Sequence, residues 1–557
     1  MKDKIINTLL KLINLEKQKI SNLIEIPPSS DLGDYAFPCF TLSKELKKNP
    51  NEIAKELSKK ISPSKEIEKA EANGPYVNFF INKKILAENI LKQIQKQRDK
   101  YGYSKKHKEK IMIEFSQPNT HKAFHIGHIR NTSLGESLSR IMESQGNRII
   151  RANYSGDTGM HIAKWLWYYL NYKKEKPRKE ESWFAEIYVS AVKKLAENEK
   201  LQIEVDEINK KLEDKSDKNL TNLWKETRKL SIKAWDAIYK ELGAEFNVKY
   251  YESELEARGK EISEDLFKKG IAEISDGATI INLEKYNLGV WVLLRKDRTV
   301  LYSAKDLALA EKKFKDFNIK ESIIVSANEQ DLHFKQLIKT LELMRFKYAN
   351  NYRHLSYNVV RLPTGRMSSR TGENVIYSSF KEELTAELKK ELRKRNKLTN
   401  KELENRSLIL AIASLKYAML KQDINKIIVF DKKEALRFEG NTGPYLLYAY
   451  ARAKSILRKA KSRSQKYQIK EISDKEKNLI TQLASFSDVI NQAYDDLAPN
   501  IVANYAYQLA QSFNEFYHSE KVIGSENEHF RLSLVSAASQ VIKNSLSLLG
   551  IKTLEEM

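Results

Sequence analysis

The sequence predicts an α/β protein whose central domain is a doubly wound parallel sheet, preceded by an α+β domain and followed by an all-helical domain. Three observations carry that expectation. Apolar strand-like runs at 111–115, 148–151 and 322–326 alternate with segments of helical spacing, as parallel strands joined by crossovers require. Residues 1–105 mix short helical patterns with one alternating run, and the chain beyond 386 is helical almost throughout. At 557 residues the chain is too long for one core. The expected division is 1–105, 106–385 with a helical insertion at about 165–250, and 386–557.

In chain order, Ile5, Leu9, Leu12 and Ile13 share one face of an opening helix, which ends in the turn-rich stretch 27–35. Helices at 41–46 and 50–60 and an alternating strand through 73–82 complete a small module. A polar linker, 98–110, leads to the strand at Ile111. Pro118-Asn119 breaks the chain after that strand. His125-Ile126-Gly127-His128 then opens a helix with Ile129, Leu134, Leu138, Ile141 and Met142 on its apolar face. Residues 183–243 are highly charged and helical in period, with Trp224 and Trp235 expected on a buried face, and form the insertion. Strand patterns return at 278–283 and 289–294. Residues 299–302 read as a short strand running into a helix from Ser303, and 322–326 as a strand before a helix at 333–343. The run 357–362 is strand-like, and 427–430 interrupts the helical last third.

Lys and Arg number 97 against 74 Asp and Glu, a net charge of +23, which points to a polyanionic partner and to nucleic acid first. A lysine-rich codon usage would also give scattered charge, without an RNA partner. No run reaches the roughly eighteen apolar residues of a membrane span, so no membrane partner is expected. The first residues lack a secretory pattern, so a cytoplasmic location is expected. Cys39 is the single cysteine, and no Cys/His cluster has zinc-ligand spacing, so no protein-bound metal is expected.

The helix entrance at His125 offers backbone N–H groups and a positive dipole end to an anion. Gly127 lets a flat ring approach the backbone, and His125 and His128 are spaced to donate to one phosphate. On the tetrapeptide alone, a cap histidine beside a solvated one fits equally well. In its wider setting, His125-Ile126-Gly127-His128 resembles the HIGH motif of class I aminoacyl-tRNA synthetases. The lead-in Glu114-Phe115-Ser116-Gln117-Pro118-Asn119-Thr120-His121-Lys122 resembles the arginyl branch, as does the block Asn153-Tyr154-Ser155-Gly156-Asp157-Thr158-Gly159. The resemblance implies a Rossmann-type, HIGH-motif catalytic domain. Such a domain joins L-arginine to ATP, accompanied by Mg²⁺, and passes the arginyl group to the terminal adenosine of tRNA(Arg). It implies ATP contacts at His125, Gly127, His128, Met367 and Ser368, and an enzyme expected to act as a monomer.

Tyr302 and Asp306, Gln330 beyond the next strand, and Glu114, Ser116 and Asn119 at the end of the first are placed to converge on one ligand. Two carboxylates and a phenol suit a guanidinium. Locally, Ser303-x-x-Asp306 also fits a capping box and Tyr302 an ordinary strand aromatic. The stretch Leu301-Tyr302-Ser303-Ala304-Lys305-Asp306 is similar to the family's arginine-binding block, and the remaining four residues match positions contacting arginine or the adenylate.

Leu362-Pro363-Thr364-Gly365-Arg366-Met367-Ser368-Ser369-Arg370 resembles the family's second catalytic loop, with Arg366, Ser368 and Arg370 as catalytic candidates. Ser369 stands where that loop commonly has its second lysine. The family's arginyl members often carry a compensating lysine just before the histidines, which Lys122 matches. Toward the C-terminus, Gly440-Asn441-Thr442-Gly443-Pro444-Tyr445 resembles the start of the family's anticodon-binding helices. Tyr445, Arg452, Lys454 and Arg458 are the RNA-facing candidates there, and Tyr35, Tyr76 and Asn78 are those of the similar N-terminal domain. A nucleotidyltransferase on the same fold and a catalytically dead RNA-binding relative remain the alternatives. The basic helical last third argues against the first, and the intact histidines against the second.

Overall fold

The apolar run after the linker becomes the middle strand of a five-stranded sheet. In the computed structural model, which describes residues 2–25, 27–173, 175–363, 376–395, 398–460 and 469–557, this is β1 (Lys110–Glu114). Ile111, Met112 and Ile113 are all buried, as a strand covered on both faces demands. β2 (Arg148–Ser155) and β3 (Val248–Tyr251) extend the sheet on one side, β4 (Glu321–Ala327) and β5 (Tyr352–Tyr357) on the other. All neighbours pair parallel in the order β3-β2-β1-β4-β5. Winding reverses between β1 and β4, so a crevice opens beyond their C-terminal ends, where such sheets hold ligands. Glu114 ends β1 and Gln330 lies just past β4, at that crevice.

The main helices of this unit are α1 (Ile126–Ser144), α2 (Met160–Tyr168), α3 (Glu181–Glu197), α4 (Lys218–Leu242), α5 (Tyr302–Phe317), α6 (Asp331–Leu343), α7 (Tyr377–Arg395), α8 (Asn400–Leu420) and α9 (Gly443–Lys459). α1 is buried along almost its whole length, polar residues included. Gly135 lets it lie against β1, since a Cβ there would fall 2.1 Å from the Phe115 ring. Buried Glu136 receives Arg140 Nε at 2.7 Å and Arg151 Nε at 3.0 Å. Buried Arg130 donates to the carbonyls of Ile424 (3.0 Å) and Lys426 (3.3 Å). These partnered buried charges hold α1 in place with the histidines at its tip.

Several sequence expectations are corrected here. The strands read at 278–283 and 289–294 exist, as Ala278–Asn282 and Val290–Leu294, but they lie in a separate antiparallel sheet, where Ala278–Asn282 pairs with Val290–Leu294 on one side and Glu273–Ser275 on the other. Residues 299–302 are not a strand. Val300 makes one bridge to Leu294, and Tyr302 is the first residue of α5. The capping-box reading of Ser303 also fails, because its hydroxyl donates to the Val292 carbonyl. In the insertion, Trp235 is buried as expected, while Trp224 is half-buried and donates Nε1–H to the Asp157 carbonyl.

Residues 102–455, 486–510 and 542–557 make up this unit, and 1–101, 456–485 and 511–541 a second. The second contains an antiparallel sheet with Tyr76–Ile81 between Tyr35–Pro38 and Ile67–Asn73. Ile67–Asn73 was hidden in the sequence by its charged, largely exposed side chains. The opening helix stops at Leu9, short of Leu12 and Ile13. No helix among the described residues is long and apolar enough to cross a membrane.

Candidate active site

His125 is the N-cap of α1. Its Nδ1 accepts from Gly127 N at 3.1 Å, and its own backbone N–H donates to His128 Nδ1, also at 3.1 Å. With both Nδ1 atoms accepting, the proton of each neutral ring sits on Nε2. The rings lie 3.8 Å apart between centroids. Burial, with Lys122 nearby, lowers the His125 pKa to about 4. Burial and His125 hold His128 well below the usual histidine range. The pair therefore presents two neutral Nε2–H donors. Gly127 serves this cap directly, because a Cβ would fall 2.9 Å from the His125 ring.

The histidines share a cavity of about 630 Å³ with Asn119, Lys122, Lys164, Tyr188 and Ile376. Lys122 lies 5.2 Å over the Tyr188 ring. Burial, and then Lys164, lower its pKa. A cavity with neutral imidazole donors and half-buried ammoniums has the chemistry to hold a polyanion.

Across Gly156 lies a second cluster. A Cβ on Gly156 would fall 2.5 Å from Asn119 Oδ1 and 2.9 Å from Glu252 Oε1, so both halves of the site close on this residue. Glu252 pairs with Lys305 at 3.1 Å. One turn into α5, Asp306 accepts from His333 Nε2 at 2.6 Å through Oδ2, while its buried Oδ1 has no hydrogen-bond partner among the described residues. The His333 ring lies tilted against those of Tyr302 (4.9 Å) and Trp291 (5.6 Å), and Tyr302 itself is exposed. The Tyr154 hydroxyl is also buried without a hydrogen-bond partner, and its pKa is well above 10 through burial and the nearby acids Asp306, Glu252 and Glu114. The result is a half-satisfied carboxylate beside aromatic rings, chemistry that suits a planar cation.

Other expected arginine contacts are placed differently. Glu114 is buried and paired with Lys313 at 2.5 Å and Gln117 at 2.7 Å, so its charge is already balanced. Ser116 is buried, and its hydroxyl is engaged by Tyr239 (3.0 Å) and Thr132 (2.9 Å), which makes it a brace of the crevice floor. Gln330 is exposed at the mouth. Asn119 accepts from Gly156 N at 3.2 Å. Arg366, Met367, Ser368 and Arg370 lie outside the described residues.

The insertion supplies supports that sequence reasoning missed. Buried Glu181 accepts from Phe124 N (2.9 Å), Ser378 N (3.3 Å) and Ser378 Oγ (2.6 Å). Tyr377 donates its N–H to the Phe124 carbonyl and its hydroxyl to Glu241 (2.6 Å). His121, with φ +63°, is held by Thr227 (2.8 Å) and Ser231 (3.1 Å) of α4. These partners lie tens of residues or more from the motif they support, with no local pattern to reveal them. Only their residue type, polar side chains inside an amphipathic helix, marked them as unusual.

Residues 90–431 match the family model described as tRNA synthetases class I (R), catalytic domain. The chain is also 37% identical to the arginine–tRNA ligase of Clostridium acetobutylicum, over 98% of both chains. It belongs to the arginyl-tRNA synthetases. Residues 1–81 match the arginyl tRNA synthetase N terminal domain and 446–557 the DALR anticodon binding domain. The Clostridium perfringens arginine–tRNA ligase is 36% identical over 98% of each chain. The solved Thermus thermophilus arginyl-tRNA synthetase superposes with a TM-score of 0.83 at 25% identity, covering 100% of this chain and 99% of that one.

In this arginyl-tRNA synthetase the expected RNA contacts divide by exposure. Tyr35 and Tyr76 are half-buried, and Tyr76 packs edge-on against Phe40 at 5.9 Å. Asn78 is a correction. It is only 5% exposed, in the central strand of its sheet, and its side chain is closed off from an RNA. On α9, Arg452 stacks on Tyr448 (4.7 Å), Lys454 pairs with Glu555 (3.0 Å), and Tyr445 lies 5.6 Å from Tyr507. Arg458 is exposed.

Proposed function

We propose that this arginine–tRNA ligase activates arginine across the Gly156 junction, with the guanidinium on Asp306 and the triphosphate of ATP over His125, His128 and Lys122. The observation that carries the reading is the Asp306 carboxylate, one oxygen fixed by His333 and the other buried without a hydrogen-bond partner among the described residues. A guanidinium donating to Oδ1 fills that position, with Tyr302 along its face and Gln330 and Asn119 toward the α-amino and carboxylate end. Glu114, already occupied by Lys313, supports the crevice floor rather than balancing the guanidinium.

The arginine carboxylate oxygen attacks the α-phosphorus in line, and the bond to the bridging oxygen breaks to release pyrophosphate. The two Nε2–H groups donate to the oxygens where charge builds, each such donor being typically worth about 2.7–4 kcal/mol. Lys122 faces the leaving group, supplying the charge that Ser369 lacks, and Arg366, Ser368 and Arg370 add donors from outside the described residues. Mg²⁺ enters with ATP as part of the substrate, held through phosphate oxygens and water. A terminal ribose hydroxyl of tRNA(Arg) then attacks the arginyl carbonyl, and AMP leaves. Tyr35, Tyr76, Tyr445, Arg452, Lys454 and Arg458 are the proposed RNA contacts, and the protein is expected to work as a cytoplasmic monomer.

Arginine-dependent ATP–pyrophosphate exchange, with and without tRNA(Arg), tests this. Exchange that requires arginine and is stimulated by the tRNA is expected. Exchange that proceeds equally without arginine would overturn the reading.

A further inference from the structure

We propose that Lys164 is a second lysine of the phosphate-binding wall, contacting the polyphosphate tail of ATP opposite the histidines. The proposal rests on the cavity around His125 being the ATP site. Lys164 sits on α2, which starts at Met160 beyond the C-terminal end of β2, whereas His125, His128 and Lys122 arrive from the end of β1. The two elements bring both ammoniums to the same cavity of about 630 Å³. Among the described residues neither has a carboxylate within ion-pair distance. The acid lining the cavity, Glu186, is held by Lys173 at 2.9 Å.

Two ammoniums facing one cavity, neither in an ion pair among the described residues, repel each other and are partly desolvated, a cost that a bound polyanion removes. Burial first, and then Lys164, lower the Lys122 pKa, against the opposing pull of Glu252. The two imidazoles are neutral and add no charge of their own, so the lysines supply the positive field in the cavity. The loop that resembles the family's second catalytic loop carries Ser369 in place of a lysine. A pair of lysines on the fixed walls restores the charge that one lysine would replace only in part. A phosphodiester of the tRNA 3′ end has the same chemistry. The triphosphate is favoured because Lys164 lines the same cavity as the histidine pair.

The test uses full-length Lys164→Met, Lys164→Gln and Lys164→Arg proteins with tRNA(Arg), in arginine-dependent exchange run in both directions. The expected result for the Met and Gln variants is a rise of roughly tenfold or more in KM for both ATP and pyrophosphate, the scale of one lost charged hydrogen bond. Their KM for arginine should stay within about twofold, and the Arg variant should recover most of the loss. Two neutral replacements of different polarity, each checked by circular dichroism, separate this from misfolding. Unchanged KM values for ATP and pyrophosphate would overturn the proposal, as would an increase confined to KM for tRNA. Failure of the underlying reading would show separately, as absence of arginine-dependent exchange in the unsubstituted protein.

Discussion

A histidine ring held away from water is kept in its neutral form, and His121 and His125 in the stretch leading into α1 follow that rule. His121 is fully buried, and burial lowers its pKa to about 3, while that of His125 falls to about 4. In the unfolded chain both titrate near 6.5. As pH falls below about 6.5 the unfolded state takes up protons that the folded state refuses, so stability declines until the folded pKa values are reached. Each such group contributes up to roughly 1.4 kcal/mol per pH unit in that window. Urea midpoints measured from pH 7 to pH 4 should fall steadily. The His121→Asn protein, which keeps a partner for Thr227 but does not titrate, should lose one proton's share of the slope. An unchanged slope would place His121 outside this account. At this scale the sequence was readable where chemistry is local. His125, His128, Lys122 and Asp306 all lie within short blocks, whereas His333 and Tyr154 are recruited to Asp306 from other elements and carry no mark of their role.

Elements meet at the His125–His128 pair through side chains more than through packing. β1 and α1 present the motif, but α3 clamps it, because Glu181 joins Phe124 to Ser378 at the head of α7. His125 and Ile376 complete the seam with a backbone bridge. Removing the carboxylate strands buried donors on both elements, at about 1–3 kcal/mol each. Glu181→Ala should therefore lower kcat for exchange by roughly tenfold or more, the range of one misplaced transition-state donor, with little change in KM for arginine. Steady-state exchange kinetics would show it. A change in KM for arginine with kcat intact would contradict a role at the His125 seam. The strand-helix alternation that made this domain legible says nothing of such seams, since the apolar period reports which face is buried and not which polar group on it finds a partner. The same limit explains the three antiparallel strands at 273–294, whose pattern is that of any half-buried strand.

Over the larger unit, α1, α4, α8 and the chain's last residues converge on one buried cation. Lys416 of α8 donates to the carbonyls of Leu242 (2.7 Å) and Gly550 (2.6 Å), and Arg140 of α1 reaches Ser547 O and Gly243 O, each at 3.1 Å. Two helix C-termini, each the negative end of a dipole, thus face paired cations. Lys416→Met should cost about 2–4 kcal/mol by stranding both carbonyls, read as a lower urea midpoint. Burial lowers the Lys416 pKa to about 7, so between pH 7 and about 10 the unfolded chain holds the extra proton and the wild type gains stability with rising pH. The deficit of the Met variant should widen over that range, and a constant deficit would contradict the depressed pKa. The order of the parts along the chain was plain from composition and period. Their grouping was not, because segments 456–485 and 511–541 join residues 1–101 in one unit, and no sequence signal marks a helix that changes allegiance midway.

The claim on which the function depends is that Asp306 selects a positive, planar side chain. Citrulline has arginine's shape without its charge, so comparing the two in ATP–pyrophosphate exchange with tRNA(Arg) present isolates that interaction. Arginine should be preferred by roughly 10³-fold or more in kcat/KM, as expected for a site whose buried polar group is otherwise left unpaired, and Asp306→Asn should erase most of the preference. Comparable use of the two amino acids by the unsubstituted protein, or an undiminished preference in the Asn variant, would contradict it.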